Sequence, residues 1–306
     1  MNNKPIVVVG SINMDLVATA AHIPAAGETI LGSGFESHPG GKGANQAVAA
    51  ARLGYPVQMV GQLGSDDVGK QLRQGLTTAG VDTTSIGTFD GPSGVALITV
   101  SDSGENSIVV VPGANATVTP AFLDQHSDKI ANAGIVLAQL EIPLETVLHL
   151  GKLCADAKVP LILDPAPALK LPDSLLKQVT WFTPNETEAT FYLGSAIKDG
   201  AHEEAAHKLI AKGAGNVILK LGDKGSYFAQ GSGIEAKIQP FRVTAIDSTG
   251  AGDAFNGAFA VALMQGQSKL EAAMFASAAS AISVTRKGAQ SSMAMQAEVQ
   301  QLLDSN

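Results

Sequence analysis

The sequence predicts an α/β fold in which a mainly parallel sheet lies between two layers of helices, a doubly wound αβα sandwich. Two observations carry this prediction: short runs rich in Val and Ile alternate with helical stretches, and several runs are apolar on both faces. A third observation, strand-like segments with no helix between them, predicts a small second sheet. The chain has 306 residues, which suits one large or two modest domains at roughly 100–200 residues per domain.

The elements of the sandwich follow one another in a regular order. The expected strands share a short, apolar, β-branched composition and lie at 6–11, 57–61, 134–140, 160–164, 181–183 and 216–221. Helices are expected where apolar residues recur at three- and four-residue spacing, at 44–53, 68–79, 120–131, 144–157, 201–212, 252–264 and 270–284. Strands that alternate with helices in this way pair in parallel through right-handed crossovers.

Four further segments read as strands that do not belong to the parallel sheet, at 14–20, 29–37, 95–100 and 106–111. The turn Ser101-Asp102-Ser103-Gly104 joins the last two, and no helix lies between them. Consecutive strands of this kind form antiparallel hairpins. We expect a small separate sheet that is either a lid over a site or a structural extension, and the pattern alone does not separate the two.

Composition and missing motifs exclude several classes of protein. The net charge is 20 − 28 = −8, which disfavours general binding to nucleic acid or to anionic membranes. Cys154 is the single cysteine, so an intramolecular disulfide and a cysteine-cluster zinc site are excluded and a reduced, cytoplasmic setting is favoured. The longest weakly polar stretch, 272–284, is 13 residues long, against roughly 20 for a membrane span. A standard P-loop and the protein-kinase signatures are absent from the sequence, and no Gly-x-Gly-x-x-Gly follows the first strand.

Two glycine-rich runs before predicted helices carry the strongest functional signal. Residues 39–46 read Pro-Gly-Gly-Lys-Gly-Ala-Asn-Gln, in which three glycines allow close backbone approach to a ligand beside a helix start. Residues 247–257 read Asp-Ser-Thr-Gly-Ala-Gly-Asp-Ala-Phe-Asn-Gly, and they place Asp253 next to amides that can converge on an anion. Such a carboxylate suits proton removal from a hydroxyl that attacks phosphate. The alternatives are tight helix packing for the first run and simple pairing of Asp253 with the helix dipole for the second, worth about 0.3–1 kcal/mol.

Three weaker motifs leave structural and functional interpretations open. Thr-Pro-Asn-Glu-Thr-Glu at 183–188 follows a strand, and Asn185 and Glu188 have the spacing of a capping box. Lys-Leu-Gly-Asp-Lys-Gly at 220–225 ends a buried strand, where α/β sheets place ligands, or forms a hairpin turn. Thr-Arg-Lys-Gly-Ala-Gln at 285–290 ends an apolar helix, where basic residues and a Gly288 cap are also favourable.

In this order the motifs resemble those of the ribokinase family of carbohydrate kinases over nearly the whole chain. The similarity begins with Gly-Ser-Ile-Asn-Met-Asp at 10–15 and ends at 285–290, and the two glycine-rich runs match the family's two signatures. The resemblance implies one ribokinase-like domain over 1–306, with a small β-sheet lid formed by about 13–39 and 93–112. It also implies ATP-dependent phosphorylation of D-ribose at O5 and a homodimer that pairs through the lid sheets.

The resemblance further implies roles for individual residues. Asp253 would be the catalytic base, beside an anion hole formed by the amides of 250–253. The sugar hydroxyls would be held by a mostly polar set: Asn13, Asp15, Gly41, Lys42, Asn45, Glu141 and Asp253. The nucleotide and its phosphates would contact Asn185, Lys220, Gly222, Gly225, Gly250, Ala251, Gly252 and Ser277. Glu188 would organise Mg²⁺ through water, and K⁺ would lie among Asp247, Thr249, Ser283, Arg286, Gly288 and Ser292.

Two positions depart from the family pattern, and three other functions remain as alternatives. Lys220 stands where many members carry Thr, and Ser277 where some carry His or Asn. The alternatives are a sibling kinase for deoxyribose, a nucleoside or another pentose, a phosphofructokinase-like enzyme, and a sugar-binding regulator without catalysis. Retention of Asp253 between its glycine-rich neighbours argues against the regulator, and the lack of cationic residues near Asn13 argues against a sugar-phosphate substrate.

Overall fold

The computed structural model describes residues 4–305, and these residues contain both predicted sheets. The strands, in chain order, are β1 (Ile6–Val9), β2 (Asn13–Ala20), β3 (Gly32–Gly40), β4 (Val57–Gly64), β5 (Asp82–Phe89), β6 (Gly94–Ser101), β7 (Asn106–Val111), β8 (Ile135–Ala138), β9 (Leu161–Leu163), β10 (Trp181–Phe182), β11 (Asn216–Lys220), β12 (Ser226–Gln230) and β13 (Glu235–Ile238). The helices are α1 (Lys42–Arg52), α2 (Asp67–Thr78), α3 (Pro120–Asp124), α4 (Ser127–Ala131), α5 (Leu144–Ala157), α6 (Asp173–Leu176), α7 (Glu186–Leu193), α8 (His202–Ala211), α9 (Ala251–Met264), α10 (Lys269–Ser283) and α11 (Gln296–Asp304).

The larger sheet has nine strands in the order β13-β12-β11-β10-β9-β8-β1-β4-β5. Neighbours from β11 to β5 are parallel, and β12 is antiparallel to both of its neighbours. The chain builds outward from β1 in one direction through β4 and β5, then returns to the other side of β1 with β8. Strand order therefore reverses beside β1, and open α/β sheets bind ligands at the carboxyl end of such a reversal.

Both faces of the large sheet are covered, which explains why its central strands are apolar throughout. Along β1, Ile6 and Val8 pack into one buried cluster with residues of α1, α9 and α10. Val7 and Val9 point to the opposite face and pack with residues of α5 and α8. Alternate residues of a strand face opposite sides, so burial on both sides requires an unbroken apolar run. The predicted αβα sandwich is confirmed.

The smaller sheet has four strands in the order β3-β2-β6-β7. The pairs β2–β3 and β6–β7 are antiparallel hairpins, as predicted, but the central pair β2–β6 is parallel. The difference arises because β4, α2 and β5 belong to the sandwich, so the chain enters the small sheet twice and the two hairpins meet side by side. Strand β3, which was expected over 29–37, begins later, at Gly32.

Several boundaries and elements differ from the prediction. The expected helix over 120–131 is divided into α3 and α4, because the backbone at His126 leaves the helical region with φ −118°. The strand β5 was not predicted, because its sequence, DTTSIGTF, is mostly polar at the sheet edge. Gly288 does not cap the preceding helix, since α10 ends at Ser283 and Val284 occupies the cap position. Among residues 4–305, no helix is long and apolar enough to cross a membrane.

Candidate active site

The first glycine-rich run packs backbone against backbone on the segment that follows β1. Gly41 has φ +86°, and a Cβ there would lie 2.7 Å from the amide nitrogen of Asn13. A Cβ at Gly43 would lie 2.7 Å from the amide nitrogen of Ser11. Any side chain at these two positions would force the segments apart. The glycines therefore bring the start of α1, with Lys42 and Asn45, to the carboxyl end of β1.

A cluster of polar side chains surrounds this junction. Glu141, which follows β8, accepts hydrogen bonds from Ser11 Oγ at 2.6 Å and from the backbone N–H of Lys42 at 3.1 Å. Asn115 Nδ2 donates to Asn13 Oδ1 at 2.7 Å and fixes the orientation of that amide. Together, these contacts bring the predicted sugar-binding residues on β2, α1 and the end of β8 into one place.

Asp15 completes the sugar-side cluster, and its carboxyl group has a raised pKa. Its carboxylate lies against Gly40, where a Cβ would overlap it. Burial, followed by the nearby negative charge of Glu141, raises the pKa of Asp15 to about 6, although His38 and, less strongly, Lys42 oppose the shift. Within residues 4–305, the buried Asn45 Oδ1 has no hydrogen-bond partner. The cluster thus offers acceptors of different strength to a ligand rich in hydroxyl groups.

Asp253 is the third residue of α9 and lies at the centre of the site. Gly250 precedes the helix in the left-handed region at φ +74°. Asn45 Nδ2 donates to Asp253 Oδ2, and Gln46 Nε2 donates to Asp253 Oδ1, both at 3.0 Å. Burial raises the pKa of Asp253 to about 6; Asp164 adds to the shift, and Lys42 and the two amide donors oppose it. A carboxylate poised near neutrality at a helix start suits a general base.

A close contact between α1 and α9 makes these hydrogen bonds possible. A Cβ at Gly257 would lie 2.7 Å from Ala49 Cβ and 2.7 Å from the carbonyl oxygen of Gln46. The absence of a side chain at Gly257 lets the two helices approach closely. This packing, suggested by the small residues of both runs, sets the distance from Asn45 and Gln46 to Asp253.

A buried ion pair adjoins Asp253 on its other side. Lys220, at the end of β11, lies with Nζ 2.9 Å from Asp164 Oδ1. Asp164, which follows β9, also accepts a hydrogen bond from Gln46 Nε2 at 3.0 Å. The Lys220 ammonium lies 3.2 Å from the position that a Cβ on Gly252 would occupy. The cation is therefore placed beside the amides of the first turn of α9.

A cleft of about 900 Å³ opens beside this turn. It is lined by Lys42 and by every residue predicted for the nucleotide, its phosphates and magnesium: Asn185, Glu188, Lys220, Gly222, Gly225, Gly250, Ala251, Gly252, Asp253 and Ser277. Lys42 and Asp253, which are predicted for the sugar, line the same cleft, and Asn45 donates a hydrogen bond to Asp253. The two predicted groups therefore meet at Asp253.

The surroundings of the cleft wall shift the pKa values of two charged side chains, Glu188 and Lys42. Asn185 and Glu188 form the capping box expected from their spacing, with Asn185 N donating to Glu188 Oε2 at 2.8 Å and Glu188 N donating to Asn185 Oδ1 at 2.8 Å. Burial raises the pKa of Glu188, with Lys220 opposing and Asp164 adding to the effect. Burial alone would lower the pKa of Lys42, but the carboxylates around it, Asp253 first, raise its pKa and keep it charged.

The residues predicted to surround K⁺ lie on the far side of Gly250. Asp247 accepts hydrogen bonds from the backbone N–H of Thr249 at 2.9 Å and of Gly288 at 2.8 Å. Burial opposes ionisation of Asp247, but its hydrogen bonds from Thr249 and Gly288 lower the pKa overall. The carboxylate thereby joins the 247–249 segment to the 288–292 segment. A Cβ at Gly250 would lie 3.0 Å from Ala289 Cβ, so the second segment packs directly behind the start of α9.

The other members of that set also use their side chains within the protein. Ser283 Oγ donates to the Ser280 carbonyl and Ser292 Oγ to the Ala289 carbonyl, both at 2.8 Å. The Arg286 guanidinium pairs with Glu298 on α11. Backbone oxygens and the free lone pairs of hydroxyl groups are the donors left for a cation at this place.

Sequence reasoning missed the residues that orient the others. Ser11, Gln46, Asn115 and Asp164 are all buried, and each holds a predicted site residue through a hydrogen bond or ion pair. Ser11 and Gln46 stand inside motifs that carry the functional signal, so their position was a usable signal. Asp164 directly follows a buried strand, which was a second signal. Asn115 lies in a short 3-10 helix, Gly113–Thr117, that follows the small sheet, and it offered none.

Taken together, the geometry favours phosphoryl transfer to a hydroxyl group. Asp253 accepts hydrogen bonds from Asn45 and Gln46 of the first glycine-rich run, and it lines a cleft that also contains the start of α9 and the cation Lys220. Such a helix start stabilises phosphate oxygens. A base between an alcohol site and an anion site is the arrangement that in-line transfer requires.

Comparison with known proteins agrees with this chemistry. Residues 3–296 match the pfkB family carbohydrate kinase. Ribokinase of Haemophilus influenzae is 42% identical over 306 residues, which cover 98% of this chain and 99% of that protein. Deoxyribokinase of Salmonella typhi is 38% identical over 291 residues, which cover 94% of each chain. The solved structure of Arabidopsis thaliana ribokinase complexed with ribose and ATP superposes with a TM-score of 0.92 at 36% identity and covers 98% of each chain.

Proposed function

The chain belongs to the pfkB family of carbohydrate kinases, and from that membership we propose that it transfers the γ-phosphoryl group of ATP to the 5-hydroxyl of D-ribose. One observation carries the proposal: the buried Asp253 lines the cleft at the start of α9, and Asn45 and Gln46 donate hydrogen bonds to its carboxylate at 3.0 Å. The similarity to ribokinases over nearly the full chain supports ribose as the sugar. The ribose and ATP in the related Arabidopsis structure support both substrates.

The proposed step uses Asp253 as the base. The carboxylate accepts the proton of the sugar O5–H while O5 forms a bond to the γ-phosphorus. The bond from that phosphorus to the β–γ bridging oxygen breaks, and its electron pair stays on ADP. The amides of Gly250, Ala251, Gly252 and Asp253 are placed to stabilise charge on the transferring group. Donors fixed in advance in this way contribute much of the catalysis in comparable sites.

We propose that Mg²⁺ accompanies ATP and that Glu188 and Asn185 hold it through water. The donor set fits, because Glu188 is a buried carboxylate on the cleft wall and hard oxygen ligands suit Mg²⁺. Both Glu188 oxygens already accept hydrogen bonds from Asn185, which favours contact through water. When bound, the ion neutralises charge on the phosphate oxygens.

We propose that K⁺ binds in the loops behind Gly250, among Asp247, Thr249, Ser283, Arg286, Gly288 and Ser292. The support is structural proximity: Asp247 joins the two segments, and Ala289 packs against Gly250. The cation would hold the anion-hole loop in its geometry without touching the sugar. Arg286 would contribute its backbone oxygen, since its side chain pairs with Glu298.

The small sheet is proposed to be a lid that also forms a homodimer. It spans both segments, 13–40 and 94–111, and carries Asn13 and Asp15 of the hydroxyl-binding cluster. Its edge strand β7 exposes four consecutive apolar residues, Ile108 to Val111. An apolar edge of this kind is a liability unless it is covered, and a second copy of the sheet would cover it. Sedimentation should give twice the mass of one chain. The Val109→Lys variant should sediment with the mass of a single chain.

A cytoplasmic location is proposed together with these substrates. ATP and a thiol kept reduced both belong to that compartment. Cys154 is fully buried, and burial raises the pKa of its thiol to about 12, so it is suited to packing and not to redox chemistry.

Phosphorylation of 2-deoxyribose is the second candidate activity, because the deoxyribokinase is nearly as similar to this chain as the ribokinases. The deciding experiment measures kcat/KM with ATP and Mg²⁺ for ribose, 2-deoxyribose, fructose and adenosine. A clear preference for ribose is expected, because a buried polar group left unpaired by a missing hydroxyl is costly. A preference for another acceptor would overturn the ribose assignment. Tight sugar binding with no turnover would favour the non-catalytic regulator.

A further inference from the structure

The buried pair between Lys220 and Asp164 is not explained by sugar binding or by the base. Resting on the proposed function, we propose that Lys220 is a catalytic residue, which exchanges Asp164 for the γ-phosphoryl group of ATP and accompanies that group to the sugar. The pair lies at the carboxyl ends of β11 and β9, with Nζ 2.9 Å from Asp164 Oδ1.

The position of the ammonium supports this role. Lys220 Nζ lies 3.2 Å from the place where a Cβ on Gly252 would stand, so the ammonium stands against the first turn of α9. Its backbone is fixed, because Lys220 N donates to the Pro184 carbonyl at 2.8 Å. The long side chain is therefore the mobile part. A rotation of its last bonds moves the ammonium between Asp164 and an anion bound at the helix start.

The charges of the cleft give the reason for an exchange. Four carboxylates line it, the buried Asp164, Glu188 and Asp253 and the exposed Asp223, with the cations Lys42, Lys220 and the exposed Arg242. Lys42 is surrounded by carboxylates, Asp253 first, and its backbone N–H contacts Glu141. Lys220 lies at the end of β11 against Gly252, and only 13% of its side chain is exposed. The triphosphate group of ATP carries more negative charge than the carboxylate of Asp164. It therefore competes with Asp164 for the Lys220 ammonium in a poorly solvated part of the cleft.

The contact would act on the step already written. Asp253 takes the O5 proton, the O5–P bond forms, and the bond to the bridging oxygen of ADP breaks. Negative charge on the equatorial oxygens persists throughout this transfer, so a cation that follows them stabilises the transition state. Lys220 neither gains nor loses a proton in the step.

A structural alternative is that Lys220 only neutralises Asp164. Binding distinguishes the two, and it needs no turnover. Two probes are used, each with Mg²⁺: ADP, and the analogue of ATP in which a methylene group replaces the β–γ bridging oxygen. Each is titrated calorimetrically into wild type, Lys220→Met, Lys220→Arg and Lys224→Met. Lys224 is a matched control, since it is in the same loop, 48% exposed, and bound only loosely to Glu186 and Asp199.

The expected result is specific to the γ-phosphoryl group. Lys220→Met should weaken binding of the analogue by about 10–100-fold, the range for a charge-assisted hydrogen bond, and change ADP affinity less than about threefold. Lys220→Arg should retain most of the preference, and Lys224→Met should leave both affinities unchanged. Equal weakening of both nucleotides, or of neither, would overturn the proposal.

A double-mutant cycle with Asp164→Asn tests the structural alternative directly. If Lys220 only neutralises Asp164, Lys220→Met should cost nothing in kcat once the Asp164→Asn substitution has removed the negative charge. Under the proposal, Lys220→Met lowers kcat by a similar factor, about 10–100-fold, in both backgrounds. The double variant has no stranded buried charge, which guards against a folding defect. If wild type fails to phosphorylate any sugar, the proposed function fails, while the comparison of analogue with ADP still decides whether Lys220 binds a γ-phosphoryl group.

Discussion

The side-chain amide of Gln46 donates a hydrogen bond to Asp253 Oδ1 at 3.0 Å across 207 residues of sequence. The same nitrogen lies 3.0 Å from Asp164 Oδ2, and Gln46 Oε1 accepts from Gln139 Nε2 at 2.7 Å. Gln46 thus joins the base to the ion pair at Lys220. It has no role in the sequence motif beyond its place after Asn45, yet it sets the environment of the carboxylate on which the proposed chemistry depends.

The acidity of Asp253 predicts how activity depends on pH. Its pKa is raised to about 6, and a general base must be ionised, so activity is present above this value and lost below it. We expect kcat/KM for ATP, measured at saturating ribose, to be flat near pH 8 and to fall about tenfold per unit well below pH 6. Saturating ribose keeps Asp15 bound to the sugar. A profile without an acidic limb between pH 5 and 7 would contradict the role of Asp253.

Gln46→Met removes one of the hydrogen bonds that lower the pKa of Asp253. The acidic limb of kcat/KM should therefore move to higher pH, since the ionised form loses a donor. Met nearly preserves the volume of this fully buried side chain. The control is Gln74→Met on the exposed side of α2, where the Gln74 amide donates a hydrogen bond to Thr78. Its profile should coincide with that of wild type, and an unmoved limb in Gln46→Met would count against the assigned contact.

Asp15→Asn should stabilise the protein while weakening sugar binding. Between pH 3.8 and about 6, the folded state keeps a proton that the unfolded state has released, so the free energy of unfolding declines as pH rises through this window. Removing the charge should recover about 1–3 kcal/mol at pH 7. The KM for ribose should rise by about tenfold or more, because a buried carboxylate acceptor for hydroxyl groups is lost. Urea unfolding at pH 4 and pH 7 checks the first expectation; a destabilised variant would contradict it.

Gly257→Ala tests the contact between α1 and α9. A methyl group there would stand 2.7 Å from Ala49 Cβ and from the Gln46 carbonyl, so overpacking should cost about 1–3 kcal/mol of unfolding free energy and lower kcat by displacing Gln46 and Asn45. Gly75→Ala in α2 is the matched control, since a Cβ there has nothing within 4 Å. That change should be neutral or stabilise by up to about 1 kcal/mol. Equal stability of the two variants would contradict the tight packing.

Replacement of K⁺ by Na⁺ should lower kcat, because the loops behind Gly250 would lose the cation that fits them. Asp247→Ala should remove this dependence and lower activity in both salts, since its carboxylate joins Thr249 to Gly288. Asp90→Ala, in the turn between β5 and β6, controls for the loss of one surface charge. Equal rates of the wild type in K⁺ and Na⁺ would remove the proposed cation site.

The sandwich could be predicted from the sequence because a strand that is buried on both faces is apolar at every position. Ile6 to Val9 and Ile135 to Ala138 are apolar at every position and fully or nearly fully buried. The strand β5 lacked this signal, since Asp82, Thr83 and Thr84 begin it. The parallel pairing of β2 with β6 was also hidden, because a local pattern defines hairpins and not the arrangement of two hairpins that meet after a long excursion.

The site was predictable where glycine or a carboxylate stood in a dense motif. Gly41, Gly250 and Asp253 came from two such runs, and the structure gives physical reasons for all three: positive φ at both glycines and a buried carboxylate at a helix start. Gln46, Asp164 and Asn115 act through contacts between residues more than 100 positions apart. No local pattern encodes such a contact. The Lys220–Asp164 pair needed both strand ends to be placed before it could be recognised.

Turnover of Asp253→Asn compared with its sugar affinity is the most direct test of the central claim. The amide keeps the shape of the side chain but cannot accept the O5 proton. We expect kcat with ribose and ATP to fall by about 10²–10⁴-fold, the range for loss of a general base, while calorimetric ribose affinity stays within about threefold of wild type. Unimpaired turnover, in a variant whose folding and ribose affinity are normal, would contradict the assignment of Asp253 as the base.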